Sequence, residues 1–249
     1  PASIINDAPK VFKENTVSGA WRPKNYSGKF YGPTRLRYGL AKSRNMIAIR
    51  LLDNIGIKYT LNYMKKFGIL SENLPRDLTL ALGSGEITPI NLAKSYAHFS
   101  NGGYGIEPYL IEQVRTRDDA IIYVENPIRV CGSPCDYMSL DTLQFTYAGS
   151  VEEIAELRKI AGLPRFAKQT LDPRNMYQMV SMMKDVVKYG TAKRAKVLKR
   201  SDIAGKTGTT NDQKDAWFSG FNGDIVGVSF LGFDDHTSLG KREFGSTAA

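Results

Sequence analysis

No stretch of this chain approaches the roughly 18 consecutive apolar residues that a bilayer-spanning helix needs. The most apolar run, Ile225 to Phe233, is far too short and carries Ser229. Histidine is scarce, with only His98 and His236. His98 stands beside Phe99 in a helical pattern and His236 follows Asp234-Asp235 in a loop. No serine lies in a GxSxG elbow either, so a Ser-His-Asp triad has no support and both histidines read as structural. Cysteine is limited to Cys131 and Cys135 in VCGSPC. The turn preferences of Gly132 and Pro134 bring the two thiols together, so a disulfide fits an oxidising compartment. Half of a zinc site is the rival, but no second Cys pair stands at finger spacing. No metal and no cofactor is expected. Internal repeats and low-complexity tracts are absent as well.

What is present suits a packed core. The 249 residues are 42% hydrophobic and 24% charged, which is the balance of a globular protein with one large domain and room for a small second unit. The 34 basic and 25 acidic residues leave a formal charge of +9, which would suit nucleic acid, anionic lipid or an anionic polymer such as cell wall. The densest basic group is Lys193, Arg194, Lys196, Lys199 and Arg200, read as a solvated face because no nucleic-acid motif accompanies it. The chain opens at Pro1 without Met or a signal segment and stops at Ala249 directly after FGSTAA, and it reads as a piece of something longer.

Pro1 to about Gly32 mixes turn residues with Trp21, Tyr26, Phe30 and Tyr31 and is expected to be extended and irregular. Thr34 to Ala41 and Asn45 to Ile55 are candidate helices; the second carries Ile47, Leu51, Leu52 and Ile55 at helical spacing and stops at Gly56. Another short helix is expected over Thr60 to Phe67. Thr88-Pro89 opens a longer one through His98, with threonine as cap and proline in the first turn. From Tyr109 to about Pro173 the pattern changes to strand-like LIEQV and IIYV, the cysteine loop and a short helix near Val151 to Ile160, so 109–173 is a candidate insertion within the 1–249 domain. Asn175 to Tyr189 predicts a helix with Tyr177, Val180, Met183 and Val187 along one side. Ile203 to Thr209, Ala216 to Phe221 and Ile225 to Phe233 predict a three-stranded antiparallel meander, with Asn222-Gly223 as the turn between the last two.

Two strings carry chemistry. The first is GKTGTT, Gly205 to Thr210. A phosphate-binding loop would need glycine where Arg200 stands and a helix where a strand is expected, so that reading fails. A strand bearing Lys206, Thr207 and Thr209 instead sets an ammonium and hydroxyl donors beside an edge where an extended, anionic peptide could pair, and Gly208 removes a side chain that would block it. The Thr209 backbone N–H could also help hold an oxyanion. The second string is Ser43-Arg44-Asn45, between two helices, where a hydroxyl and an amide can both point into a cleft. Asn45 is equally readable as a helix cap, and Ser71-Glu72-Asn73 repeats the SxN pattern by chance.

SRN followed about 160 residues later by KTG is the order of the second and third motifs of serine penicillin-binding proteins and class A β-lactamases. With their flanks, WRPKNYSGKFYGP, LRYGLAKSRNMIAIRLLDNIG, LALGSGEITPINLAKSYAHFSNGGYG, GKTGTTNDQKDAWFSGF and GFDDH, the whole chain resembles the transpeptidase domain of bifunctional class A penicillin-binding proteins of the Gram-negative 1A type. The resemblance is weakest between about Tyr109 and Pro173.

That resemblance implies an α/β sandwich, an antiparallel sheet flanked by helices, and D-Ala-D-Ala transpeptidation of peptidoglycan stem peptides through a serine acyl-enzyme that β-lactams trap. It implies Ser43 as proton relay, Asn45 as ligand to a lysine and to the substrate amide, Lys206 as electrostatic partner of Ser43, and Thr207, Gly208 and Thr209 as the substrate-binding strand. Trp217 and Phe218 read as core and wall residues. The family's nucleophile lies in an SxxK string before SxN, and none precedes Ser43. Ser181 to Lys184 and Ser238 to Lys241 fit SxxK but come too late, so the nucleophile is expected upstream of Pro1. The parent protein is expected at the periplasmic face of the inner membrane, anchored outside these residues. The same three motifs also serve β-lactamases and DD-carboxypeptidases, and a non-catalytic cell-wall-binding module is the remaining alternative.

Overall fold

The computed structural model describes residues 1–13, 20–70, 72, 74–131 and 165–247. Cys135, the helix expected at Val151 to Ile160, and Ser71 and Asn73 of the second SxN string lie outside them. The chain divides into two compact units, Pro1–Gly103 with Leu171–Ala249, and Tyr104–Thr170.

The first unit opens with short strands. β1 (Ile4–Asp7) pairs antiparallel with β4 (Gly32–Arg35), and β2 (Phe12–Lys13) with β3 (Ala20–Trp21). Helix α1 spans Leu36–Ala41. It starts later than the sequence predicts because Thr34, a β-branched residue, is captured by Ile5 across the β1–β4 ladder. Helix α2 covers Asn45–Ile55 as expected and ends at Gly56, whose φ of +91° a side chain would oppose. Its buried side chains are Met46, Ile47, Ile49 and Leu52, whereas Ile55 is exposed. Met46 and Ile49 pack on Phe12, with Trp21 and Phe30 alongside, so the irregular N-terminal aromatics select which stripe of α2 is the core face.

Helix α3 spans Ile57–Met64 and tightens into a 3-10 turn through Phe67. Helix α4 runs Pro89–Ser100, with Pro89 in its first turn and the Thr88 hydroxyl accepting from the Asn91 N–H at 3.3 Å. Buried His98 places Nδ1 3.2 Å from the Lys94 carbonyl and its ring beside Phe67, and burial lowers its pKa. It is a core residue.

The second unit carries the antiparallel hairpin β5 (Gln113–Arg115) and β6 (Ile121–Val124), and a parallel pair, β7 (Ile128–Arg129) with β8 (Arg165–Phe166). Cys131 is disulfide-bonded, and Cys135 is the only other cysteine in the sequence.

Returning to the first unit, helix α5 spans Pro173–Lys188, with the Asp172 carboxylate capping the Arg174 N–H at 2.8 Å. Its core face is Met176, Met183 and Val187, with Val180 packed alongside; Tyr177, expected on that face, is 76% exposed because Met176, one residue earlier, holds the inward phase. Strands β9 (Ala204–Thr209), β10 (Asp215–Phe221) and β11 (Val226–Gly232) form the expected antiparallel meander, ordered β11-β10-β9. Asn222 turns the chain between β10 and β11, its side-chain carbonyl accepting from the Asp224 and Ile225 N–H groups. Met183, Ala204 and Phe221 form the buried centre that joins α5 to the sheet, and Tyr96 and Phe99 of α4 pack against it. That seam fixes β9 against the helices, with β9 the end strand of its sheet among the described residues.

Candidate active site

Helix α1 ends at Ala41 and α2 begins at Asn45, and the turn between them is closed by Ser43 N–H to Leu40 carbonyl at 3.1 Å and Arg44 N–H to Gly39 carbonyl at 2.9 Å. Ser43 adopts φ +52°, a left-handed conformation that costs a serine of order 1 kcal/mol. The strain exposes its hydroxyl instead of folding it into either helix. Arg44 is the residue that caps α2, without a side-chain cap bond, and Asn45 is its first helical residue. The cap reading of Asn45 is therefore corrected. Its Nδ2 donates to the Lys24 carbonyl at 2.9 Å.

The α2 start is held from a distance. Buried Asn25 accepts the Met46 N–H on Oδ1 at 3.3 Å, while its Nδ2 donates to both carboxylate oxygens of fully buried Asp7, at 2.7 and 3.0 Å, and to the Lys29 carbonyl at 2.9 Å. A buried carboxylate left without such donors would be costly. The Arg44 guanidinium lies 3.4 Å from the centre of the Tyr31 ring, which stands in the same N-terminal segment.

On the other side, β9 presents Lys206 opposite Ser219 of β10. The Lys206 ammonium donates to Ser43 Oγ at 2.8 Å and to the Thr207 carbonyl at 2.8 Å. Burial of the amine disfavours its charged form and lowers its pKa from 10.5 to about 8. At pH 7 it remains mostly an ammonium. Thr207 Oγ1 lies 2.6 Å from Thr191 Oγ1, and the exposed Thr209 accepts the Gly245 N–H on its hydroxyl at 3.1 Å. A Cβ on Gly208 would stand 3.1 Å from the Trp217 Cβ, so glycine there follows from the close approach of β10.

The two strings singled out in the sequence thus meet through Ser43 and Lys206. Asn45 is not joined to that pair by a hydrogen bond. The Trp217 and Phe230 rings lie 4.4 Å apart, tilted by 39°, and Phe218 packs near Val186, Val187 and Ala192. Neither late SxxK string forms a site: Ser181 Oγ accepts from Arg37 at 3.0 Å beside the Arg37–Asp185 ion pair, and Ser238 Oγ donates to the Asp212 carbonyl. Asp7, Asn25 and Thr191 escaped sequence reading. Asn25 lies in the quoted KNYSG string, but no spacing rule pairs it with Met46.

The chain matches the family description "Penicillin binding protein transpeptidase domain" over residues 1–227. It is 42% identical to penicillin-binding protein 1A of Pseudomonas aeruginosa over 260 residues, covering all of this chain and 32% of that protein, and 39% identical to penicillin-binding protein 1A of Neisseria meningitidis, covering all of this chain and 27% of the relative. It therefore spans about a third of the length of the curated relatives it matches. Among solved structures, penicillin-binding protein 1A from Haemophilus influenzae superposes with a TM-score of 0.82 at 32% identity, over 98% of this chain and 37% of the other. The fold alone is shared with penicillin-binding protein A from M. tuberculosis, captured as an imipenem acyl-enzyme, at a TM-score of 0.63 and 16% identity over 98% of this chain and 52% of that one.

Proposed function

Because the chain belongs to the penicillin-binding protein transpeptidase domain family, we propose that it supplies the relay and substrate-binding parts of a D-Ala-D-Ala transpeptidase site. The whole protein would carry its serine nucleophile upstream of Pro1 and act at the periplasmic face of the inner membrane. The observation that carries this reading is the 2.8 Å bond from the Lys206 ammonium to Ser43 Oγ, between residues 163 positions apart in the chain.

The chemistry follows from the geometry. The serine hydroxyl attacks the carbonyl of the penultimate D-alanine; the bond to the terminal D-alanine breaks, and its nitrogen takes the proton that the serine gives up. Ser43, exposed on its strained turn and polarised by Lys206, passes that proton. Thr207 and Thr209 present hydroxyls, and β9 its strand edge, to the extended stem peptide, with Lys206 attracting its terminal carboxylate. Asn45 holds the nucleophile's lysine and the substrate amide. An amine of a second stem peptide then attacks the ester, forms the cross-link and returns the serine hydroxyl. A β-lactam enters the same first step, but its ring opens and no amine departs. Attack by water in place of the amine would make the protein a carboxypeptidase.

Intact mass spectrometry of the full-length protein before and after incubation with benzylpenicillin tests this. One added penicillin, mapped by peptide digestion to a serine upstream of Pro1, is expected. Absence of an adduct, or an adduct on Ser181 or Ser238, overturns it. With stem-peptide donor and acceptor, cross-linked dimer is expected rather than trimmed monomer.

A further inference from the structure

The corner that follows helix α5, Tyr189-Gly190-Thr191, touches both halves of the site. The Thr191 N–H donates to the Ala41 carbonyl at 3.1 Å, at the last residue of α1 and two positions before Ser43. Lys42 Nζ donates to the Tyr189 carbonyl at 2.6 Å. Gly190 is packed so closely that a Cβ there would overlap the Ala41 carbonyl oxygen. Tyr189 stacks on Tyr38 of α1 at 6.1 Å, and its hydroxyl donates to Asp185, which also accepts from Arg37 at 2.8 Å. From this anchored corner the Thr191 side chain reaches β9, its Oγ1 2.6 Å from Thr207 Oγ1.

We infer that Thr191 is a positioning residue for Thr207: it donates its hydroxyl proton to Thr207 Oγ1 and so directs the Thr207 proton outward to a substrate carboxylate. Either threonine can donate across a 2.6 Å contact between two hydroxyls. With Thr207 as donor, its outward lone pairs would face an anion and repel it. An arriving carboxylate therefore selects the chain Thr191 O–H to Thr207 O–H to carboxylate, in which each bond polarises the next. The backbone bond of Thr191 to Ala41 holds this donor in register with the Ser43 turn, so the hydroxyl that receives the carboxylate and the one that relays the proton share one support.

The inference rests on the reading of Thr207 as a carboxylate binder, and its test separates the two. In the full-length protein, second-order acylation rates are measured for benzylpenicillin and for its methyl ester, which lacks the carboxylate. Thr191→Val keeps the shape and removes the hydroxyl; it should slow benzylpenicillin about tenfold, the scale of one hydrogen bond within a charge-assisted chain, and leave the ester rate within about twofold of wild type. Thr191→Ser, which restores the hydroxyl, should recover the benzylpenicillin rate. Equal losses for both compounds, or no recovery with serine, would mean that Thr191 only supports the fold and would overturn the inference. If Thr207→Val itself leaves benzylpenicillin unaffected, the carboxylate role of Thr207 has failed and the inference falls with it. If Thr207→Val slows benzylpenicillin while Thr191→Val does not, the parent reading stands and this inference alone is wrong.

Discussion

Ser43 and Lys206 meet at 2.8 Å, but the segments that carry them are held by different physics. Lys206 rides on β9, where the backbone ladder to β10 fixes its register from Ala204 to Thr209 and strand alternation settles which way it points. Ser43 has no ladder. It sits on a left-handed turn closed by its own backbone bonds to Leu40 and Gly39, and the flanks of that turn are held from elsewhere in the chain: Asn25 and Asp7 under the start of α2, and the Gly190 corner against the end of α1. The Lys206 side of the candidate site is thus set by a strand ladder, and the Ser43 side by a locally closed turn that tertiary contacts support.

The largest break in the comparison removes either partner. In the full-length protein, Lys206→Ala and Ser43→Ala should each slow penicillin acylation by about two or more powers of ten, as loss of an electrostatic or proton-transfer partner does. For Ser43→Ala the thermal midpoint should hardly move, since Ser43 is exposed. Near-native rates of fluorescent-penicillin labelling would sink the assignment.

Gly190→Ala attacks the tertiary support without touching the side chain of Ser43 or Lys206. Its Cβ would overlap the Ala41 carbonyl oxygen and come within 2.7 Å of the Val186 Cα, both backbone neighbours that yield only by moving an element. A stability loss of about 3 kcal/mol is expected in denaturant unfolding, together with slower acylation. An unchanged midpoint would mean that the corner yields freely. Asn25→Ala should cost somewhat less, about 2 kcal/mol, because it strips the buried Asp7 of an amide donor and the Met46 N–H of its acceptor. Asn25→Ala together with Asp7→Ala should cost less than the sum of the two single changes, whereas strict additivity would argue against the pair acting as a unit.

The smallest effect is a pH response confined to the strand half. Lys206 is protonated below about pH 8 and loses its charge above it, so attraction for an anionic β-lactam is present at pH 7 and is lost as pH rises. Acylation should fall about tenfold between pH 7 and 9, following the protonated fraction of a group titrating near 8. An ordinary lysine would show no change in that range. A flat profile through pH 9.5 would show that burial does not hold the amine down.

How much of this was legible follows the same division. Ile203 to Thr209 read as a strand from its short apolar, alternating pattern, whereas Gly208, read as clearing room for a peptide, also meets the close approach of Trp217 on β10. Helix α4 was legible from Thr88-Pro89, and α5 from its apolar period, although Tyr177 was assigned to the wrong side. Residues 45–55 read as a helix, yet which stripe it buries was misjudged at Ile55, since that depends on where Phe12 and Trp21 arrive. The roles of Asp7, Asn25 and Thr191 had no sequence signal, because no periodicity relates a residue to a partner 16 or 21 positions away across a turn.

The sequence by itself determined the elements and the order of SRN and KTG, since helical spacing, capping and strand alternation are properties of neighbouring residues. Only the tertiary structure decided that Ser43 would be strained outward, that Lys206 would be buried enough to titrate near 8, and that Thr191 would link the end of α1 to Thr207. Desolvation and hydrogen-bond geometry belong to the surroundings of a group, and folding brings those surroundings from distant parts of the chain.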